Sequence, residues 1–548
     1  MLTWQNTGDP CAPETVTFVN HLMPTRIGFT TALGPTTFAD SNPAITNIIG
    51  DDFPVCYSYF NASGDQEMLM TMVGKIYRYP GNADVSRAAA YTGLRFSFAQ
   101  WRDRVYACNG ADKLQKATTG NFADVAGTVP KFTRIAVAGE FLAGIGLVAD
   151  FVGTSRTVTA SPYLLMISAV GNPDQFDVDV DTTAYYQDIY DTGGPLTAIA
   201  RLRDFFVVFQ KSGVYVVENI GGVDKWAMRS VSSYFGCEFP DSVIEVKNVL
   251  YWISPTNGGE VVAFDGSQIT VLSSALKSLW VADSSNGYRP GKFKSPSATT
   301  ATLGNGLTAA TDGETILWNR AYVSNSAGSG NGSVQLYMNI PTSRFGLSYY
   351  VYSGIPFVLA SGEMPYAVCS NAWQDAVLCI HGLGGDLFGN SSIVAGMMSP
   401  AVNAKSRIEM YRSSPSQAVN VKNFSLLFSE YVAETSESEM IESALSQSLT
   451  VAARPAIYDT TTPSLKWSSS KRVGEAISAP DAPLAFPTAA WNSNTNSFDF
   501  ASSQYRSVSS NTFAFSVFVS PINSLTGVLI DAAPAGVPQT GAKAVKWQ

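Results

Sequence analysis

Four aspartates within one twelve-residue window have the spacing of a calcium-binding loop. Asp177, Asp179, Asp181 and Asp188 occupy positions 1, 3, 5 and 12 of that pattern. Position 6 is Thr182, where the sharp turn needs glycine, and position 12 is aspartate, where the pattern has glutamate. The alternative is a strand, in which the first three aspartates share one solvated face. The sequence leaves both interpretations open, so no metal-binding residue is assigned.

A second motif, TDGETILW, partly matches the sialidase Asp-box, Ser-x-Asp-x-Gly-x-Thr-Trp. Asp312 and Gly313 are adjacent where the box separates them by one residue, and Thr315 lies three residues before Trp318 instead of next to it. This spacing favours a plain Asp-Gly hairpin. Glycosidase chemistry also needs two carboxylates across the scissile bond, and the pattern places no such pair. No catalytic residue is therefore assigned.

Histidine and cysteine give no metal or cofactor site. His21 and His381 are the only histidines, and neither has a cysteine or histidine partner at zinc spacing, which favours hydrogen-bonded structural roles. The cysteines lack CxxC spacing and are expected to be free thiols made in a reducing cytoplasm, rather than a disulfide scaffold. They are Cys11, Cys56, Cys108, Cys237, Cys369 and Cys379. No cofactor is expected.

Charge and hydropathy exclude other classes of protein. The formal net charge is −9, so the chain lacks the basic footprint of a protein that binds DNA or RNA tightly. The first residues contain Asp9, Pro10 and Pro13 without an apolar core, so we expect no signal peptide. The most apolar segment, IAVAGEFLAGIGLVADFVG, is interrupted by Glu140 and Asp150, which indicates strands rather than a membrane span.

The segment from Leu196 to Ser273 indicates which secondary-structure elements form the framework around the candidate residues. It alternates runs of β-forming residues with polar turns, and no helical period appears in it. The expected turns are Arg201–Asp204, Lys211–Gly213, Lys247–Asn248 and Asp265–Gly266. Short β-rich runs about ten residues apart predict antiparallel meanders.

The same pattern continues along most of the chain and predicts an all-β fold with a β-propeller of six or seven blades. Four-stranded units that recur every 40 residues or so, with insertions, are typical of this architecture, in which each sheet buries its faces against its neighbours. Apolar candidates for the inner strands of the blades are Leu69, Val105, Leu142, Phe206, Leu250, Ile316 and Leu378.

Three regions are expected. Residues 1–50 form an N-terminal extended segment, residues 51–405 the propeller, and residues 406–548 a C-terminal β-sandwich-like domain that provides platform or ring contacts. In the last region, Phe513, Phe515, Val517 and Val519 alternate with the residues between them, which is the period of a partly buried strand.

Five segments between Ser168 and Gly266 together resemble the tail nozzle proteins of short-tailed bacteriophages, also called tail tubular protein B. The segments are similar to that family in their order along the chain as well as in their residues. The matching residues are Ser168, Ala169, Gly171, Pro173 and Phe176; Gly194, Pro195, Leu196, Thr197 and Ala198; Lys211, Ser212, Val214 and Tyr215; Gly236 and Cys237; Asp265 and Gly266. The likeness covers about 100 residues strongly, and the ending LTGVLIDAAPAG is similar to the C-terminal sheet of the family.

The resemblance implies a structural virion protein, not an enzyme. It implies a homo-hexamer that forms the DNA ejection conduit below the adaptor (head-tail connector) ring and the portal, and that bears needle, tail fibre or tailspike proteins. Localisation in the phage tail, after synthesis in the host cytoplasm, follows from it. The acidic balance agrees with a conduit, because a lining that avoids stable contacts with phosphates lets genomic DNA pass without tight binding.

The alternative is a propeller-fold tail protein that binds or cleaves glycans. One fold supports many functions, and propellers include glycosidases. The poor match to the Asp-box and the absence of an assignable carboxylate pair argue against catalysis.

Overall fold

The computed structural model describes residues 54–273 almost completely and further strands on both sides. Within that stretch it leaves out 73, 94, 192, 222–224 and 257–259. It also describes 307–322, 332–351, 365–383 and 392–400, and, before residue 54 and after residue 400, the strands given below with residues 25, 26, 32 and 38.

The described residues form an all-β fold with seven four-stranded antiparallel blades, as in a β-propeller. The sequence left six or seven open, and seven is the number found. The strands of the first four blades are, for blade 1, Val55–Phe60, Gln66–Met72, Lys75–Tyr79 and Ala83–Asp84; for blade 2, Ser97–Trp101, Arg104–Cys108, Gln115–Ala117 and Ala123–Asp124; for blade 3, Phe132–Ala138, Phe141–Leu147, Ser161–Ile167 and Tyr185–Asp188; for blade 4, Leu196–Leu202, Phe205–Gln210, Val214–Gly221 and Lys225–Ser232.

The remaining blades follow the same order of strands. They are, for blade 5, Ile244–Val246, Val249–Ser254, Glu260–Phe264 and Ile269–Val271; for blade 6, Leu307–Thr311, Thr315–Tyr322, Gly332–Asn339 and Arg344–Val351; for blade 7, Pro365–Ser370, Val377–Leu383, Ser392–Pro400 and Leu33–Thr37. A 3₁₀ turn at Pro240–Ser242 precedes blade 5.

An N-terminal strand completes the seventh blade. Leu33–Thr37 pairs as its outermost strand, and Ile45–Thr46 pairs with Ser392–Pro400 as well. The first strand of blade 7 also lies against the first strand of blade 1. Strand pairing and packing between the first and last blades close the ring, so that each inner sheet edge faces the central axis.

Hydrophobic cores fill the spaces between consecutive blades. Between blades 7 and 1 the core includes Met68, Met70, Tyr366 and Ile380, all buried. Four further clusters lie between blades 1 and 2, 2 and 3, 3 and 4, and 4 and 5. This packing explains the apolar runs, because a central propeller strand is covered on both faces.

Each of the seven apolar candidates from the sequence lies in a different blade and is buried, Leu378 the most exposed of them at 6%. All seven are on the second strand of their blade. The first strands, which contact one another around the axis, lie further in.

The turns between first and second strands need left-handed backbone. Lys247 and Asn248 have φ of 51° and 63°, as a two-residue hairpin with the twist of its strands requires. In blade 4 the first strand continues to Leu202, so the turn contains only Arg203 and Asp204 instead of the four residues expected. The predicted Asp312-Gly313 hairpin is confirmed and joins the first two strands of blade 6.

By internal contacts the chain divides into two compact units. One comprises Pro35–Val334 and Tyr350–Ser399, and the other Met1–Gly34, Gln335–Tyr349 and Pro400–Gln548. The second unit contains two sheets. One contains Phe18–Asn20, Ser406–Ser413, Thr512–Val519, Val451–Asp459 and Ser464–Trp467; the other contains Leu22–Pro24, Phe29–Thr31, Leu525–Pro534, Val419–Phe428, Ser497–Ala501, Ala489–Asn492 and Val545–Trp547. Thr3–Trp4 and Thr15–Val16 form a separate parallel pair.

The C-terminal sheets agree with the predicted C-terminal β domain. The alternating run from Phe513 to Val519 lies in one strand, Thr512–Val519, and pairs with Ser406–Ser413. Among the described residues there is no helix that is long and apolar enough to cross a membrane.

Candidate functional site

A central cavity of about 370 Å³ lies on the propeller axis. All seven blades or the segments that precede them contribute to its wall, mainly through their first strands. Its volume holds about a dozen water molecules. It is far too small for a DNA duplex, whose major groove alone is about 12 Å wide.

Charged side chains cross one end of this cavity. Arg95 precedes the first strand of blade 2, Asp241 lies in the 3₁₀ turn before blade 5, and Arg134 is in the first strand of blade 3. Arg95 Nη2 donates a short hydrogen bond to Asp241 Oδ2, and Arg134 Nη2 lies 3.5 Å from the same oxygen. Because these residues precede or begin their strands, the cluster marks the end of the cavity where first strands start.

Burial and charge set the ionisation of this cluster. Burial alone would raise the pKa of Asp241, but Arg134 and Arg95 outweigh it and hold this pKa below its usual value. Burial lowers the pKa of Arg134, and Arg95 lowers it further, while Asp241 opposes both effects. Arg134 is only 8% exposed and also donates from Nη1 to the carbonyl of Phe96 at 3.2 Å.

A side-chain hydrogen bond links two blades near the opposite end of the cavity. Gln374, in the hairpin after the first strand of blade 7, donates from Nε2 to the carbonyl of Glu245 in blade 5 at 3.0 Å. Beside it, Trp373 is 70% exposed and packs edge-on against Phe60, with ring centroids 4.7 Å apart. The 240–245 segment of blade 5 therefore accepts contacts at both ends of the cavity.

The aspartates of the calcium-like pattern do not converge. The first three do not share a strand face either, which was the alternative that the sequence left open. They lie in turns, because Asp177 accepts hydrogen bonds from the backbone amides of Thr154 and Asp179 at 2.5 and 2.9 Å and so folds the chain back on itself. Asp179 binds Arg156 through two hydrogen bonds of 2.7 and 3.1 Å.

The two other aspartates each bind a different part of the chain. Asp181 accepts from the amide and hydroxyl of Thr183 at 2.8 and 2.6 Å, which lowers its pKa. Asp188 is in the last strand of blade 3 and accepts from the hydroxyl of Ser161 at 2.8 Å. In the described part of the chain, no group of three or more histidine, cysteine, aspartate or glutamate residues could hold a metal ion.

Histidine and cysteine take positions inside the sheets. His381 is fully buried in blade 7, with Nε2 3.3 Å from the hydroxyl of Thr37; His21 lies outside the described residues, as does Cys11. The five described cysteines are buried and form no disulfide bond with one another. Burial raises the pKa of Cys108 and that of Cys237 to about 12.

Three of the five segments that carry the family resemblance meet around Gln210, at the junction of blades 4 and 5. The amide of Cys237 donates to the carbonyl of Gln210 at 2.9 Å, and the hydroxyl of Thr197 donates to the carbonyl of Cys237 at 2.5 Å. Gly236 fits only without a side chain, since a Cβ there would lie 2.2 Å from the Gln210 oxygen. Trp252 Nε1 donates to the carbonyl of Gly236 at 3.0 Å. These motif residues therefore build the fold.

The first of the matching segments has a similar role in blade 3. Ser168 is fully buried, and its hydroxyl accepts from the amide of Leu142 at 3.0 Å. Gly171 has φ of 68°, a conformation that favours glycine, and Phe176 packs against Phe132 with centroids 5.3 Å apart.

Sequence reasoning missed the charged cluster of the cavity. Arg95 and Asp241 are 146 residues apart and no local motif links them. The one signal was Arg134, the only charged residue of the mainly buried strand FTRIAVA. A charged residue inside an apolar run usually has a partner, because an unpaired buried charge is costly.

Comparisons with known proteins show distant similarity only. No family model matches the sequence, and no curated protein matches it. Among solved structures, the computationally designed Ika8 protein has 9% identity and a TM-score of 0.34, covering 69% of this chain and 96% of that one. The β-propeller domain of the trilobed protease from Pyrococcus furiosus has 9% identity and a TM-score of 0.30, covering 67% and 94%. An ancestral GH74 enzyme has 10% identity and a TM-score of 0.35, covering 71% of this chain and 52% of its own.

Proposed function

We propose that this propeller protein is a structural subunit of a bacteriophage tail nozzle. The observation that carries the proposal is the meeting of three of the family-like segments around Gln210, where Thr197, Gly236 and Cys237 join blades 4 and 5. A motif whose residues are used in packing is suited to preserving a scaffold rather than to performing a reaction.

The dimensions of the cavity limit how a single subunit could take part in a DNA conduit. DNA does not fit along the axis of a single propeller, whose cavity is about 370 Å³, is crossed at one end by Arg95 with Asp241 and is lined by Gln374. A conduit for DNA therefore needs several copies around a common axis. We propose six, bound to an adaptor ring below the portal and bearing needle, fibre or tailspike proteins, in the tail of the virion.

The proposal includes the absence of catalysis. The carboxylates that the sequence singled out bind neighbouring groups of the chain instead of facing one another across a cleft. The net charge of −9 suits a wall along which a polyanion slides.

Native mass spectrometry of the protein with its adaptor ring tests the proposal. Six copies bound to one adaptor ring are expected, since a preformed ring presents its binding sites at high effective concentration. A stable complex of one subunit with one adaptor chain would contradict it.

The second candidate is a glycan-binding or glycan-cleaving tail protein. The observation that favours it is Trp373, an exposed aromatic ring next to residues that line the cavity, Ala372 and Gln374. Exposed aromatic rings are frequent anchors in binding sites. Binding of host-surface polysaccharide that is lost in Trp373→Ala but retained in Tyr234→Ala, another exposed aromatic residue, would favour this candidate.

A further inference from the structure

The charged cluster at one end of the cavity has an excess of positive charge. Arg95 and Arg134 both contact one carboxylate oxygen of Asp241. Among the residues that the structure shows lining the cavity, Asp241 and Arg134 are the only ones with a carboxylate, guanidinium or ammonium group. Together with Arg95 the cluster has two cations and one anion. One positive charge is thus left without a counter-charge in this cluster.

One hydrogen-bond donor of the cluster is also unused. Arg95 Nε is buried and, in the part of the chain that the structure describes, has no hydrogen-bond partner. A buried donor without an acceptor is costly, and more so when it belongs to a charged group. Arg134, in contrast, is held in place by the Phe96 carbonyl, so its orientation is fixed by the fold.

We propose that the central cavity binds a small oxyanion, a phosphate or the carboxylate of a small organic acid, between Arg95 and Arg134. A guanidinium group presents its N–H donors in a planar fork that matches two oxygens of such an anion. The bound anion supplies the missing negative charge and accepts from Arg95 Nε. The inference does not depend on the nozzle assignment.

The dimensions and exposure of the cavity suit this class of ligand. A volume of about 370 Å³ lies at the lower end of the range for small-molecule sites. The side chains of Arg95 and Asp241 are 23% and 20% exposed, so the anion reaches them from solvent at that end of the cavity. With a net charge of −9, the protein as a whole does not attract an anion. Binding therefore relies on the two arginines of the site.

Calorimetric titration and thermal unfolding of the full chain test the site. Sodium phosphate, sodium acetate and sodium citrate are compared with sodium chloride at equal ionic strength. We expect at least one of the three oxyanions to bind saturably with a rise in Tm beyond that in chloride, since a ligand of the folded state stabilises it. The phosphate and carboxylate arms identify the ligand chemistry. Effects equal to those of chloride in every arm would overturn the proposal.

Variants locate the site. Arg95→Gln removes the cation, and we expect affinity to fall at least tenfold; Arg102→Gln is the control, because Arg102 forms an exposed ion pair with Glu140 away from the cavity. Arg95→Lys keeps the charge but loses the planar fork and the Nε donor, so it should also weaken binding. If Arg95→Gln does not fold, the anion affinity of Arg95→Lys is the deciding measurement. Wild-type affinity in the folded Arg95 variant, or equal loss in Arg102→Gln, would place the anion elsewhere and refute the assignment.

Discussion

Gln374 Nε2 in blade 7 donates a hydrogen bond of 3.0 Å to the carbonyl of Glu245 in blade 5, although blade 6 lies between them in the ring. At the opposite end of the cavity, Arg95 and Asp241 join blades 2 and 5. Two polar contacts between blades that are not neighbours thus meet the same short segment of blade 5. Near the axis, the first strands are therefore linked by side chains as well as by packing.

Gly236→Ala tests the junction on which the family resemblance depends. A Cβ at this position would lie 2.2 Å from the Gln210 oxygen and 2.3 Å from the backbone of Lys211, so we expect a loss of about 3 kcal/mol in unfolding free energy. The control is Gly64→Ala, which has φ of 85° but no atom within 4 Å and should cost about 1 to 2 kcal/mol. Denaturant unfolding measures both. A larger loss for Gly64→Ala would contradict the described packing.

Asp241→Asn tests the charged cluster of the cavity. Removing one partner from a mainly buried ion pair leaves Arg134 without its counter-charge, and we expect a loss of about 2 kcal/mol after allowance for the partial exposure of Asp241. Glu140→Gln, which removes the partner of Arg102 in an exposed pair, should cost under about 1 kcal/mol. Equal effects in the two variants would contradict the account.

The pH dependence of the Asp241 contribution has a definite sign. The pKa of Asp241 is lowered in the folded state, so its contribution is complete above the unfolded-state carboxyl pKa of about 3.9 and is lost as pH falls through the folded value. The difference in unfolding free energy between wild type and Asp241→Asn should stay constant from neutral pH to about pH 5 and shrink below about pH 4. Chemical denaturation across this range measures it, and a difference that widens in acid would refute the assigned ionisation.

Buried thiols should be inert in the folded protein. Burial raises the pKa of Cys108 and that of Cys237 to about 12, so few thiolates form at pH 8. We expect iodoacetamide to modify both residues only as fast as the protein unfolds. Peptide mass spectrometry measures the rate of modification at each residue. Denatured protein is the control. Rapid modification of either residue under native conditions would contradict the positions found for them.

DNA binding by the assembled ring should be weak. With a net charge of −9 per chain, we expect a Kd for duplex DNA no tighter than the non-specific range of about 10⁻⁴ to 10⁻⁶ M at physiological salt. Titration of two labelled duplexes of equal length and different sequence measures it, at low and physiological salt. Submicromolar binding that prefers one duplex and persists at the higher salt would refute the conduit.

The sequence predicted local features of the fold well and long-range ones poorly. Leu69, Val105 and the five equivalent residues marked one blade each, because short continuous apolar runs report a strand that is buried on both faces. They could not report the distance of a strand from the axis. The number of blades was open because insertions such as the Phe151–Val152 and Thr157–Val158 hairpin in blade 3 make the spacing unequal.

The candidate site was beyond sequence patterns for a related reason. The outer strand of blade 7 comes from Leu33–Thr37, and the Arg95–Asp241 pair joins residues 146 apart. Neither contact has a local signature, since ring closure alone brings these segments together. For the calcium-like pattern, the local spacing is present in the sequence but the site is not formed. Its carboxylates bind Thr154, Arg156 and Thr183 separately and do not converge.

Electron microscopy of purified virus particles that contain the protein tests the tail-nozzle proposal. We expect six seven-bladed propellers around the tail axis below the adaptor ring, with the DNA path between subunits and none through a propeller. A map with the protein absent from the tail, or with DNA running through the axis of a single propeller, would contradict it.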